Sequence, residues 1–391
     1  MRFQSLGSQY NFRDAWHHLV ARGTPDAHTH FADALESRYK GQKAYLYANG
    51  RSALSAAVAA FATASDEIAV NGFTCYVVQE AVIAAGATPH FLDIDSSTLH
   101  FSDRQLHDAL TSHPNLRAIV VQNSFGIACD IVSIEAFARE HRLILIEDLA
   151  HCAGLIYPDG REAGTVGDFT MLSFGRDKLL DCVSGGALVV RNAAYVDKVQ
   201  SPAHLASRTN RLRDRWYPLL MWLARTTYPI YLGPLLTRFY RATRMVVRTA
   251  DGSIDILAAM PSWQAKRAQQ KLNDLAADID RRQQLAALYR EKLPSLFHPT
   301  DAPVRLPFLA KNRDNVWRRL QRAGYHMSDT WYDTPIGPAR LYGKVNYPET
   351  RCPTAAEVAA RIINLPTHRY INVDHATRIA EIVLESQRES A

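Results

Sequence analysis

Three stretches of the chain set a reactive or charged side chain just beyond an apolar run. In "LSFGRDKLLDCVSGG" (172–186) it is Lys178, and in "LILIEDLAHCAG" (143–154) it is Asp148. In "YANGRSALSAAVAAF" (47–61) a turn, Asn49-Gly50-Arg51-Ser52, feeds an alanine-rich stretch. A lysine amine can form a Schiff base with an aldehyde and later carry protons as the free base. A carboxylate at a buried strand end can hold a cationic ring nitrogen, which keeps the ring able to accept electrons. A glycine turn at a helix N-terminus offers unpaired N–H groups and a positive dipole end to a phosphate. Ser52 adds a hydroxyl and Arg51 a charge at that turn. His151, three residues past Asp148, can reach the same ligand, and Ser173 lies five residues before Lys178. Each feature also has a plain reading: Asp148 as a helix cap, Gly50–Ser52 as an ordinary helix start, Lys178 as a solvated loop cation beside Asp177. Their conjunction favours the chemical reading, because all three fall in order at strand ends of one expected sheet.

That sheet is visible as apolar runs alternating with helix-like stretches between Lys43 and Val190. Strands are expected at 44–47, 68–71, 88–93, 118–122, 143–147, 169–174 and 187–190. Helical patterns occupy 52–63, 76–85, 103–112 and 131–140. Runs such as "AIVVQ" and "LILIED" are apolar throughout, as suits strands covered on both faces. The order implies an α/β fold built on a mostly parallel seven-stranded sheet, with ligands bound where strands end. The stretch 263–293 reads as one long charged helix, followed by short extended pieces and a terminal helix over 373–385.

With 391 residues the chain exceeds a single growing core. We expect a large domain over 1–250, interrupted by an insert at about 203–249, and a smaller C-terminal α/β domain over 251–391. The five cysteines are scattered without a C-x-x-C pair, so they read as reduced thiols. The N-terminus has no apolar h-region, so no signal peptide is expected and the location expected is cytoplasmic. His28 and His30 lack a third ligand nearby and read as surface histidines, so no metal is expected.

The motifs in this order resemble the DegT/DnrJ/StrS-type sugar aminotransferases, of the aspartate-aminotransferase-like fold type I. The resemblance runs from about Ala44 to the C-terminus and implies pyridoxal 5'-phosphate (PLP) as cofactor. It implies phosphate binding by Gly50, Arg51, Ser52 and Ser173, ring-nitrogen binding by Asp148, a cofactor contact from His151, and covalent attachment to Lys178. The ring-stacking aromatic of the family aligns with Cys75, leaving Tyr76 or Phe73 to substitute. Val183-Ser184 stands where the family carries Gly and an acid, and Arg51 where Thr is common. The partner-subunit element before the long helix is not recognisable in "TADGSIDILAAMPSWQ". The implied protein is a homodimeric aminotransferase moving nitrogen from an amino acid, glutamate as in relatives, to a keto-sugar linked to a nucleotide or a lipid. A lyase or aldolase on the same cofactor and a non-catalytic docking module are the alternatives.

The insert stands apart. Between Ala203 and Thr249 there are nine arginines and one acid, Asp214, so this segment outweighs the whole chain's formal charge of +6. Within 206–248 the arginines interleave with Trp, Tyr, Phe and Leu, and prolines break the apolar runs below the ~20 residues of a spanning helix. The composition fits a helical hairpin lying on the inner face of a membrane. A dimer-contact or lid segment is the other reading. The bulky aliphatic neighbours argue against nucleic acid.

Overall fold

Aliphatic and β-branched runs condense into a central sheet in the computed structural model, which describes residues 2–4, 10–293, 303–327, 330–348 and 350–389. Seven strands form its body: β1 (Lys43–Tyr47), β2 (Glu67–Asn71), β3 (Thr88–Leu92), β4 (Leu116–Gln122), β5 (Ile144–Asp148), β6 (Phe169–Ser173) and β7 (Gly186–Val190). Their spatial order is β1-β7-β6-β5-β4-β2-β3. All are mutually parallel except β7, which runs antiparallel to both β1 and β6. Each expected strand is present. Two dipeptide strands, His204–Leu205 and Ala258–Ala259, extend the β1 edge to make nine in all. They are too short to show any period in the sequence.

Strand β4 shows how both faces are covered. Its Ile119 and Val121 join one core with Phe31, Leu35 and Phe137, while Ala118 and Val120 join the other with Leu54, Val58 and Val82. Helices α1 (Phe12–Val20) and α2 (Ala27–Tyr39) precede the sheet, and α3 (Gly50–Ala59), α4 (Tyr76–Ala84), α5 (Asp103–Ser112) and α6 (Ile131–Glu140) lie between its strands. The insert is a helical hairpin, α7 (Arg208–Thr226) and α8 (Leu232–Ala242), joined by a short turn. Among the described residues no helix is long and apolar enough to cross a membrane.

The long charged helix expected over 263–293 is two helices, α9 (Ser262–Asn273) and α10 (Leu275–Lys292). The break falls at Asn273-Asp274, residue types whose side chains compete with the helix for backbone hydrogen bonds. Met260, Ala265, Ala268 and Leu272 pack under the sheet, whereas Leu285 and Tyr289 open a third core with Phe308, Leu365, Ile379 and Val383. In that third unit Arg305–Leu309 pairs antiparallel with Ile362–Pro366, and Val373–Glu389 forms the closing helix.

Candidate active site

The carboxyl ends of β4 and β5 stop in register, with Gln122 beside Asp148, and β6 passes Asp148 at Met171 and runs on to Ser173. Strand alternation sends Glu147 to the far face, where it accepts from the N–H groups of Gly164, Val166 and Gly167. Asp148 is left facing the site. It is buried, accepts from Gln122 Nε2 at 2.8 Å and from the Ala150 N–H at 2.9 Å. Gln122 is itself fixed, its Oε1 accepting from the Thr74 hydroxyl at 2.7 Å. Burial pushes the Asp148 carboxyl above its ordinary range, against the Ala150 and Gln122 hydrogen bonds and the nearby Lys178 charge. A buried carboxylate held this way is primed for a cationic partner.

Asn49 caps α3 by accepting from the Ser52 N–H at 2.9 Å. The N–H groups of Gly50 and Arg51 belong to the first turn, which has no acceptors within the helix. The turn lies directly against Ser173: a Cβ on Gly50 would sit 2.8 Å from the Ser173 Cβ and 3.0 Å from its Oγ. Only glycine permits this approach, which puts the Ser173 hydroxyl beside the helix N-terminus. The Ser52 hydroxyl, fully buried, accepts from the Asp255 N–H at 3.2 Å. The Arg51 guanidinium turns elsewhere. It pairs with Glu80 at 2.9 Å and donates to the carbonyls of Thr249 and Gly252, so it binds the end of the insert to α3.

Lys178 lies in the loop between β6 and β7, half-buried, with its amine 4.4 Å from the centre of the Trp331 ring. Burial lowers its pKa below the usual lysine value, and Arg305 adds to this, while Cys75, Asp148 and Asp177 oppose it. The same loop ends with Val183 at a φ of +74° and Gly185 at +107°, left-handed backbone that favours glycine. Ser184 donates to Asp214 of α7 at 2.5 Å and accepts from Gln264 at 2.8 Å. The Ser184 hydroxyl, at the position where the family carries an acid, is thus held by the one acid of the insert.

His151 stacks on Trp331 at 4.3 Å with rings 10° apart. Its Nδ1 accepts from the Phe125 N–H at 3.4 Å, and its Nε2 is 3.3 Å from the Tyr332 hydroxyl. Burial, with Lys178 and Arg305 nearby, holds His151 well below its ordinary pKa, so it is neutral. Tyr76 opens α4 half-buried, and Cys75 before it feels the charges of Lys178, Arg51 and Asp148. Phe73 is wholly buried, edge-on to Tyr332 at 5.4 Å.

Further residues went unread in the sequence. Arg305, wholly buried, lies 3.4 Å above the Trp331 ring and 3.4 Å from Asp177. Asn364 clamps Trp331 by accepting from its N–H at 2.7 Å and donating to its carbonyl at 2.9 Å. Gln122 carried the one available signal, a polar residue closing the apolar run "AIVVQ". At the opposite end of the sheet Glu67, His90 and His113 come together. There His113 Nε2 faces Arg351 and its Nδ1 lies 2.8 Å from Glu67, as in a hydrogen-bonded chain.

A sheet of this order, with one antiparallel strand and its ligand end at β4–β6, defines the class: an α/β protein of the PLP-dependent fold type I. The chain belongs to the DegT/DnrJ/EryC1/StrS aminotransferase family, whose sequence profile matches residues 23–384. It is therefore a PLP-dependent sugar aminotransferase by family, and a divergent one. It is 24% identical over 348 residues to dTDP-3-amino-3,6-dideoxy-alpha-D-galactopyranose transaminase of Aneurinibacillus thermoaerophilus, covering 86% of this chain and 83% of that one. It is 26% identical over 363 residues to UDP-N-acetyl-3-dehydro-alpha-D-glucosamine 3-aminotransferase of Acidithiobacillus ferrooxidans, covering 90% and 87%. Its fold superposes on a putative sugar aminotransferase of Streptococcus pneumoniae in the PMP form with a TM-score of 0.74 at 17% identity, covering 98% and 99% of the two chains.

Proposed function

We propose that this protein moves an amino group from glutamate to a keto-sugar carried by a nucleotide or a lipid, working as a homodimer. The observation that carries the reading is that Lys178 and His151 meet on the Trp331 ring beside Asp148, at strand ends next to a glycine turn packed on Ser173. These residues fit PLP. A Cβ on Gly50 would fill the seat next to Ser173, and Asp148, held by Gln122 and the Ala150 N–H at the strand end, offers its carboxyl to a ring nitrogen. When bound, PLP supplies an aldehyde and a cationic ring that accepts the electrons freed at a donor's α-carbon.

The chain's own residues then divide the work. Lys178 would hold the aldehyde carbon and, once displaced by the donor, carry a proton as a free amine; its lowered pKa favours that form. Asp148, braced by Gln122, would keep the ring nitrogen protonated. The Gly50 and Arg51 N–H groups with the Ser52 and Ser173 hydroxyls would hold the phosphate. Arg51 would act there through its backbone, since its guanidinium is engaged with Glu80. Neutral His151 and half-buried Tyr76 would border the ring. The buried charge of Arg305 beside the amine supports an anionic donor, as glutamate is. The names of the two relatives support a nucleotide-linked acceptor, while the insert, Ala206–Arg248, supports work at the inner face of a membrane.

The test is spectral and direct. Purified protein is expected to be yellow, to lose that colour on adding glutamate, and to regain it with a keto-sugar acceptor. Lys178→Ala is expected to abolish both colour response and turnover. A yellow protein that breaks down an amino-acid substrate without passing on its nitrogen would replace this reading with a lyase. Absence of any Lys178 adduct after borohydride would sink every enzymatic reading.

A further inference from the structure

Away from the pocket, three helices turn apolar side chains outward. On α1 these are Phe12, Trp16 and Val20, on α7 Leu212, Trp216 and Leu223, and on α8 Leu232, Leu235 and Phe239. Each set follows helical spacing, so each makes one stripe along its helix. The turn between α7 and α8 adds Ile230 and Tyr231, both 70% exposed, and Leu235 is 60% exposed. The stripes adjoin. Helix α1 packs along α7, with the Phe12 ring 5.0 Å from Trp222. Helix α8 packs on α7 through Gly233, where a Cβ would lie 2.2 Å from the Ala224 carbonyl.

Cations flank this surface. Of the nine arginines in the insert, Arg208, Arg238, Arg241, Arg244 and Arg248 are exposed. Two others serve the fold: Arg215 donates to the carbonyls of Leu19 and Ala21, and Arg225 donates to that of Tyr10. The acids that could balance the flank are engaged. Asp214 holds Ser184, and Asp14 on α1 holds Arg369 and Tyr370. The result is an outward apolar surface with a one-signed border.

Charge decides between occupants. A second copy related by a two-fold axis would bring two faces of the same positive sign together, which disfavours it. An anionic bilayer satisfies both parts, taking the aromatics and leucines at the headgroup boundary and the guanidiniums at lipid phosphates. We propose that α1, α7 and α8 together form a docking face for an anionic phospholipid bilayer. This sharpens the membrane association suggested for the insert by enlisting α1, and it rests on surface geometry rather than on the transaminase reading.

The docking helices are tied to the lysine loop. The Arg176 guanidinium lies 3.7 Å from the centre of the Tyr217 ring and donates to the Val247 carbonyl at 2.7 Å. Ser184 reaches Asp214 from the same loop, and Arg51 holds the carbonyls of Thr249 and Gly252. A docked enzyme therefore keeps its pocket next to the bilayer-bound elements, which favours a keto-sugar borne on a lipid carrier as acceptor.

Flotation of the holoenzyme with vesicles tests the docking. It is expected to rise with phosphatidylcholine vesicles that contain phosphatidylglycerol and to stay behind with phosphatidylcholine alone. L235E/F239E is expected to reduce flotation at least about tenfold, and R238E/R241E about fivefold per arginine. In both variants the yellow colour, its response to glutamate and the melting temperature should match the unaltered enzyme, which separates docking from catalysis. A glutamate response lost in the unaltered enzyme that still floats would defeat the transaminase reading alone. Docking is overturned if the unaltered enzyme does not float, or if L235E/F239E floats equally. It is also overturned if that variant turns a dimer into monomers while neither protein binds vesicles, since the face would then belong to a second copy.

Discussion

Asp148 is the residue whose worth to the protein reverses with what the pocket holds. Burial raises its pKa above the unfolded value, about 3.9 for an aspartate. In the ligand-free protein its contribution to stability is therefore fully present below that value and is lost as pH rises through the raised folded pKa. Asp148→Asn should accordingly raise the melting temperature of ligand-free protein at neutral pH by a few °C, on the order expected for about 1 kcal/mol. The gain should vanish near pH 3, and transamination should fall by orders of magnitude because Asn cannot hold the ring nitrogen cationic. Thermal melts across pH with parallel turnover assays check both halves; a variant that is less stable at neutral pH would contradict the burial argument. At this scale the sequence was readable where a residue ends a strand, as Lys178 and Asp148 do. Arg305 and Trp331 were not readable, because their meaning comes from contacts with residues more than a hundred positions away.

Helix α3 joins three parts of the molecule at its first turn. Gly50 packs on β6 at Ser173, Ser52 meets the chain at Asp255, and Arg51 links Glu80 of α4 to the end of the insert. The Arg51 side chain is 5% exposed and that of Glu80 30%. Removing one member of such a pair strands the other, at a cost of about 3–5 kcal/mol for fully buried pairs and less here. Arg51→Ala should lower stability by about 2–4 kcal/mol and speed proteolytic nicking between Arg244 and Leu257, as limited digestion beside chemical denaturation would reveal. Unchanged digestion would show that the insert is held by α1 and α7 instead. Elements were the most legible level of this chain, since periodicity and apolar runs located all seven central strands. The two edge dipeptides and the interruption at Asp274 escaped because each is decided by one or two residues.

The whole molecule depends on its last third reaching back into the sheet. Asn364, from the strand Ile362–Pro366, fastens Trp331, and Trp331 in turn covers His151 and Lys178. Asn364→Ala removes both bonds and should cost about 1–3 kcal/mol of stability. It should lower kcat while the yellow colour persists, because the proposed cofactor seat is built on the central sheet and α3; steady-state kinetics with absorbance spectra check this, and a colourless variant would refute it. The sequence announced the order of the pieces but not this closure, since nothing local to Asn364 or Trp331 marks them as partners. The distribution of indole rings has a practical consequence. Of six tryptophans, Trp16, Trp216 and Trp222 cluster on or beside the outward face of α1 and α7, and Trp331 sits at the lysine. Fluorescence thus has two separate sources of news in the unlabelled protein. Emission from the outward group shifts when its surroundings become oily, and emission from Trp331 dims when a light-absorbing molecule settles beside it. One optical trace can time arrival at a surface against filling of the pocket.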